Sequence, residues 1–390
     1  MSVFLIFCLN CIQWYDYALY GIFSNSATNW LIYALGYIVA PIGGFFLAII
    51  VNRFSYYYAM MIATFGMLFS SVIFYIYLLY WQNIDVEFDI ILLIVRSLYG
   101  LCIGGIMALS FVELLNRDEY DKGYLASLPV LAIAIGFLFA VLFSKLIRAD
   151  IIQYDNAILF QILLLCLIGI SLLKYDNQDL YKMNLLDSRV DHQNEREVNV
   201  FKILYEGYMS VICSWRSIMS SCAISSVSAI GCWLSNYIVI IESDLIGNHY
   251  FIIFLIVSVV PIISGILCNN TDIIRYFYVL AFLLGMSNIY IFYLYAVNRL
   301  NIFVILIHML LVYMYMGAEA LIHNLLYRPK HINIAMVISF NLGVCIFGVT
   351  TPIILTGLDI IGNLQYILIY LAFILSLCIY SIAHVRSYKN

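Results

Sequence analysis

Charge is the scarcest feature of this sequence. Its 390 residues include 18 lysines and arginines and 22 aspartates and glutamates, 10% in all. A soluble fold of this length needs more polar surface than that, so water is excluded as the main solvent. No basic block reads as a nucleic-acid footprint, and no nucleic-acid partner is expected. No lysine or arginine precedes Arg53 and no small-residue cleavage site follows the first apolar run, so no secretory signal peptide is expected. A G-x-x-x-x-G-K-S/T stretch is missing, which excludes an ATP motor within the chain. Neither a Ser/His/Asp cluster nor a zinc signature supports an enzyme. The ten cysteines are scattered, and the close pair Cys8 and Cys11 has the C-x-x-C spacing of a redox or metal site. With no second ligand pair, two small apolar residues on one helix face is the plainer reading. No metal and no cofactor are expected.

What is present is apolar. Hydrophobic residues make up 65% of the chain, and mean hydropathy is +1.01. A helix crosses a bilayer with about 20 such residues. Twelve runs qualify, at about 1–23, 27–51, 55–80, 90–115, 124–147, 156–174, 217–241, 248–268, 276–297, 301–326, 333–357 and 362–384. The expected fold class is therefore an all-α membrane protein. Its transmembrane helices, about twelve, fall into two pseudo-symmetric six-helix bundles. The one long polar stretch divides the chain into an N-terminal bundle at 1–174, a cytoplasmic linker at 175–216 and a C-terminal bundle at 217–390. With the N-terminus inside, 14 of the 18 basic residues fall on inner loops and the tail. Only Lys145, Arg148 and Arg299 fall outside, and Arg96 lies within a span. Both termini are therefore expected in the cytoplasm. "VAPIGG" ends the second span near Arg53 and "VVPIIS" ends the eighth near Arg275, as a parallel repeat would place them.

A few polar residues interrupt the runs. Asp16 lies about eight residues, or ~12 Å, from the outer end of its span, and Arg96 about six, or ~9 Å. Their depths match, so an ion pair is expected. It reads either as a proton or substrate site that opens and closes, or as a static pair that fixes packing. Gln13, Trp14, Tyr17 and Tyr20 surround Asp16 in sequence and are candidate cavity residues, although Tyr and Trp near span ends also serve as interface anchors. In the tenth run His308, Tyr315, Glu319 and His323 follow at steps of 7, 4 and 4, which puts all four on one helix face. They read as an inward-facing proton site, or as groups wetted by the cytoplasmic vestibule. Glu113 and Arg117 read as a solvated helix end. Gly100 and Gly104 form a G-x-x-x-G, the spacing of close helix packing.

These features meet in one family. "QWYDYALYG" resembles the first-helix signature E-W-Y/F-D-F-A/G-x-Y-G of metabolite:proton symporters of the major facilitator superfamily, the proline/betaine and dicarboxylate type. "VAPIGGFFLAIIVNRF", "RSLYGLCIGG" and "YRPKHINIAMVISFNLGVCIFGVTTPIILTGL" are similar to further motifs of that family, so the resemblance covers both halves. Several motif charges differ. Gln13, Ala40, Asn52, Ile106 and Asn333 stand where the family has Glu, Arg, Asp, Glu and Arg. The resemblance implies proton-coupled uptake of a small polar metabolite by alternating access, by a monomer in a bacterial cytoplasmic (inner) membrane. It implies helices 1 and 4 lining the substrate cavity, and a gating role for the loops of Asn52, Arg53 and Arg275. The partners are then a small-molecule substrate, protons and the lipid bilayer. The lost motif charges also fit a transporter-like sensor or scaffold that no longer transports.

Overall fold

The computed structural model describes residues 2–23, 27–80, 88–118, 120–187, 200–241, 250–327, 332–348, 351 and 360–385. Residues 81–87, the middle of the polar stretch at 188–199, and Arg328 to His331 and Pro352 of the last quoted motif lie outside them.

Long apolar runs leave the backbone no water to bond, so each must satisfy its own N–H and C=O groups as a helix. The described residues form helices and no strands. They are α1 (Val3–Phe23), α2 (Ala27–Arg53), α3 (Tyr56–Tyr80), α4 (Phe88–Ile103), α5 (Ile106–Leu115), α6 (Lys122–Arg148), α7 (Tyr154–Asp187), α8 (Val200–Ile241), α9 (Tyr250–Asn269), α10 (Ile273–Ala296), α11 (Ile302–Leu326), α12 (Ile332–Gly343) and α13 (Ile360–Val385). A π-helical turn, Val344–Gly348, continues α12. Among the described residues eleven spans are long and apolar enough to cross a membrane, and Ile332–Gly348 is a shorter apolar helix. Phe69, Leu163, Ile307 and Ile369 are each more than half exposed. An outer surface of this kind suits lipid.

Local chemistry sets the helix ends. The Asp121 carboxylate accepts from Tyr124 N–H at 2.9 Å and starts α6. Asp272 accepts from the N–H groups of Ile274 and Arg275 and starts α10. Asn301 accepts from Val304 N–H at 3.0 Å and starts α11. Past the ends of α6 and α10, Asp150 and Asn298 turn the chain at φ 54° and 53°, the left-handed region that Asp and Asn tolerate.

Three spans differ from the runs read in the sequence. The fourth breaks at Gly104–Gly105 into α4 and α5. Two adjacent glycines lower the cost of leaving the helix, and the Gly104 carbonyl accepts a bond from the Asn341 amide of α12. The sixth runs on to Asp187, and the seventh begins at Val200 instead of 217. Both ends of the polar stretch are thus helical. At 42 residues, α8 is ~63 Å long, about twice the thickness of a bilayer's hydrocarbon core.

The two halves repeat their packing. Gly100 and Gly104 seat α4 against the backbone of Gly36 and Ala40 in α2, just before Pro41. Gly317 seats α11 against the backbone of Pro261 in α9. Spans 2 and 4 therefore meet as spans 8 and 10 do. Between the halves, α6 packs on α9 and α2 on α12, which are equivalent pairs when the halves are exchanged. Gly123 and Gly265 bring α6 and α9 into backbone contact, and farther along Phe137 stacks on Phe254 at 5.7 Å.

Candidate functional site

The seam between the halves encloses a small pocket at its middle. Trp14 and Tyr37 come from the N-terminal half; Ser228, Ala229, Cys232, Trp233, Met316, Phe340 and Val344 come from the other. Its volume is about 20 Å³, room for about one water, so this conformation is closed around it. Tyr37 meets Trp233 edge-on across the seam at 5.2 Å.

Behind the pocket lies the buried ion pair. Arg96 Nη1 is 2.5 Å from Asp16 Oδ2, with both side chains at most 5% exposed. The sequence places these residues on α1 and α4, 80 positions apart. The guanidinium lies 3.9 Å over the Tyr20 ring, with Phe74 and Tyr99 at 5.6 and 5.8 Å. Flat cation against ring face is attractive, and more so without water. A run of rings joins the pair to the pocket: Tyr99 to Tyr17 at 6.0 Å, Tyr17 to Tyr37 at 4.4 Å, then Trp233. Asp16 and Arg96 do not themselves line the pocket among the described residues, nor do Gln13 and Tyr17. They sit one aromatic layer back, on the N-terminal side. Gln13 Oε1 and Trp14 Nε1 are buried without a hydrogen-bond partner among the described residues. Buried polar atoms of this kind are costly in a finished core, and suit a site that a polar ligand completes.

The stripe on α11 faces its own half. His308 Nδ1 is 2.9 Å from Ser287 Oγ of α10, and Nε2 is 3.3 Å from the Gly231 carbonyl of α8. Tyr315 donates to the Ile224 carbonyl at 2.8 Å. Glu319 and His323 touch each other at 3.1 Å and are 2% and 0% exposed. Vestibule water does not reach them here. Seven residues separate His308 from Tyr315 and four more reach Glu319, so the stripe is a column along the bundle and not one cluster with Asp16.

At the end of the seam that carries Arg53, the Asn333 amide donates to Asn52 Oδ1 across the halves at 2.6 Å. Two positions that depart from the motif the sequence resembles thus pair with each other. Asn269 donates to Asp121 at 2.8 Å beside them. Arg53 makes no ion pair among the described residues; with Asn52 and Glu206 it lines a cavity of about 620 Å³. Arg275 pairs locally with Asp272 at 3.3 Å and does not cross the seam. Glu113 pairs with Arg117 at 3.1 Å, partly buried. Cys8 and Cys11 line an apolar groove of about 380 Å³ on the N-terminal half. No group of three His, Cys, Asp or Glu among the described residues is placed to hold a metal.

The pocket's second half was missed in the sequence, although a signal existed. The sequence has five tryptophans. Trp14 and Trp233 both line the pocket and stand 219 apart (233 − 14), while Pro41 and Pro261 stand 220 apart (261 − 41). The offset that relates the prolines relates the tryptophans to within one residue.

No family model matches the chain. No curated protein matches it in sequence. Solved structures do match. The proton:xylose symporter XylE bound to 6-bromo-6-deoxy-D-glucose superimposes with a TM-score of 0.62 at 14% identity, covering 99% of this chain and 94% of that one. XylE of E. coli in a partially occluded inward-open conformation gives 0.64 at 15%, covering 99% and 96%. The E. coli fucose:proton symporter FucP gives 0.63 at 12%, covering 98% and 97%. The chain has the major facilitator superfamily fold. Identity this low carries the fold over both full lengths and nothing finer.

Proposed function

We propose that this protein is a secondary active transporter that takes up a small polar solute together with a proton. The carrying observation is the buried Asp16–Arg96 pair, joined through Tyr17 and Tyr37 to a pocket built from both halves. A seam with equivalent contacts on either side can rock open at one end or the other. In this reading Arg96 and Asp16 stay bonded while the pocket is closed. When the rings between them and the pocket shift, Asp16 takes a proton from water in the opened cavity. Substrate and proton then leave at the Arg53 face, and the excess of basic residues there supports its being the cytoplasmic one. Likeness to the symporters for xylose and fucose supports the same reading.

The pocket narrows the substrate. Of the nine described lining residues none is charged, and four are aromatic (Trp14, Tyr37, Trp233 and Phe340). That favours a neutral or zwitterionic solute: ring faces suit the apolar face of a sugar or the onium group of a betaine. A dicarboxylate finds no cation there. The protein acts as a monomer in a bacterial cytoplasmic membrane. Uptake by proteoliposomes tests this, using labelled xylose, fucose, proline, betaine and succinate with and without an imposed pH gradient. Saturable uptake of one neutral or zwitterionic solute, driven by the gradient, is the expected result.

A second reading has an observation of its own. The Asn52–Asn333 contact keeps the seam bonded without the motif charges, as a transport-inactive sensor or scaffold could. No saturable flux for any solute on the panel favours it. Topology is checked separately with reporters after Trp81, His192 and Asp359, which lie outside the described residues. The first and last should read outside and the middle one inside.

A further inference from the structure

The serines of α8 point to a second device. Ser221, Ser225 and Ser228 recur at steps of 4 and 3, one face of a helix. All three are buried. Ser228 lines the central pocket. Ser225 Oγ is 3.1 Å from His323 Nε2, and Ser221 Oγ is 2.7 Å from His323 Nδ1. Ser221 Oγ also lies 2.9 Å from Ser339 Oγ of α12, and the Tyr327 hydroxyl lies 2.6 Å from Ser339 Oγ. Tyr327 is the residue that ends α11 at the Arg53 face. It is 7% exposed, whereas Ser221, Ser339 and His323 are fully buried. The hydroxyls therefore run from Tyr327, the residue that ends α11, to His323, whose Nε2 is 3.1 Å from Glu319 Oε1.

We propose that Glu319 and His323 hold one shared proton, and that Tyr327, Ser339 and Ser221 carry it between the pair and water at the Arg53 face. Among the described residues no lysine or arginine pairs with Glu319. An ionised carboxylate with no cation is expensive at this depth, and one proton makes the pair neutral. The other titratable groups set against the network are Tyr315 on α11, Cys378 on α13 and Cys222 on α8; α12 contributes Ser339. None of these is a cation.

The transfer balances with hydrogen alone. In this structure Ser339 accepts from both Tyr327 and Ser221 and donates to the Met336 carbonyl at 3.0 Å; hydroxyl hydrogens rotate, so a turn of Ser339 from that carbonyl toward Ser221 polarises the chain inward. A hydronium at the Arg53 face gives a proton to Tyr327 as Tyr327 passes its own to Ser339. Ser339 passes one to Ser221, and Ser221 one to His323 Nδ1. His323 releases its Nε2 proton to Glu319 Oε1 and ends as the other neutral tautomer. Each hop breaks one O–H or N–H bond and makes one, and no electrons are exchanged. The inference rests on the transport reading only for its purpose: the pair binds its proton whether or not a solute moves.

Infrared titration of the purified full-length protein in detergent tests it with no substrate present. As pH falls, a protonated carboxyl band should grow in together with a change in the imidazole ring mode. Glu319→Gln should lose the band, and Asp16→Asn should keep it. After a rapid pH drop, Tyr327→Phe should reach the wild-type amplitude about tenfold more slowly, the rate equivalent of one lost hydrogen bond. Ser339→Ala should show the same delay, and keeps the test open if Tyr327→Phe does not fold. A band that survives Glu319→Gln, a ring mode that titrates apart from it, or an undelayed approach in both hydroxyl variants overturns the proposal. Coupled uptake without the band would remove the relay and leave the transport reading. The band without uptake of any solute would do the reverse.

Discussion

The two halves share a packing plan and differ in the chemistry they bury. In the N-terminal half, acid and base stand on different helices, α1 and α4, and aromatic rings wrap them. In the C-terminal half, Glu319 and His323 stand four residues apart on one helix, wrapped by serines. A pair that ties two helices must be broken for them to move. A pair on one helix can gain or lose a proton without helix motion. The first is suited to couple protonation to a shift of α1 against α4 within its half; the second is suited to store and pass a proton.

The largest expected effect breaks the first pair and spares the second. Arg96→Met leaves the Asp16 carboxylate buried without its cation, at a cost of about 3–5 kcal/mol. Its thermal midpoint in detergent should fall well below that of His323→Gln, which removes no permanent charge. Equal losses for the two variants would erase the distinction between strap and store.

Next comes coupling. Asp16→Asn keeps the shape and loses the titrating group, so accumulation against a gradient should vanish while some solute exchange remains. Arg96→Lys keeps the charge but not the fork, and should slow uptake with the proton requirement intact. If Asp16→Asn still takes up protons with solute at the wild-type ratio, Asp16 is structural and the C-terminal pair carries the coupling.

A smaller effect tests what the halves share. A Cβ on Gly104 would collide with the Ala40 backbone, and one on Gly317 with the Pro261 backbone. Gly104→Ala and Gly317→Ala should each cost about 1–3 kcal/mol by overpacking. Similar drops in thermal midpoint would establish the seams as equivalent; a neutral Gly317→Ala would show that only one half depends on close approach.

Much of the fold was legible because the bilayer demands so much of each span. Length and apolarity alone locate the helices, and Pro41 and Pro261 reveal the repeat. Asp16 and Arg96 were legible because a buried charge demands a partner at its own depth. The pocket was not, since Tyr37 and Phe340 are two aromatics in a chain with 33 tyrosines and 25 phenylalanines. Their role depends on which faces meet across the seam, and that is a tertiary fact. The break at Gly104–Gly105 escaped notice for the same reason. Its cause, the Asn341 amide, comes from a helix more than 230 residues away.

The smallest effect lies where the halves meet. Asn52 and Asn333 stand where the motif the sequence resembles has an acid and a base, and their amides bond across the seam. A neutral bond at an exposed position responds little to salt. Restoring the charges in Asn52→Asp/Asn333→Arg keeps the partners and adds Coulomb attraction. An exposed pair is worth at most about 1 kcal/mol, or roughly fivefold in the balance between states with this end closed and open. Cysteine accessibility from the Arg53 face should therefore fall severalfold in the double variant at low salt. The difference should shrink in 1 M salt, where the screening length drops to about 3 Å. The single Asn52→Asp variant should move the same way by less, since a carboxylate accepts from the Asn333 amide more strongly than an amide oxygen does. Accessibility that is unchanged at every salt concentration would mean that this contact does not hold the seam, leaving Asp121–Asn269 and the Gly123–Gly265 approach to close that end.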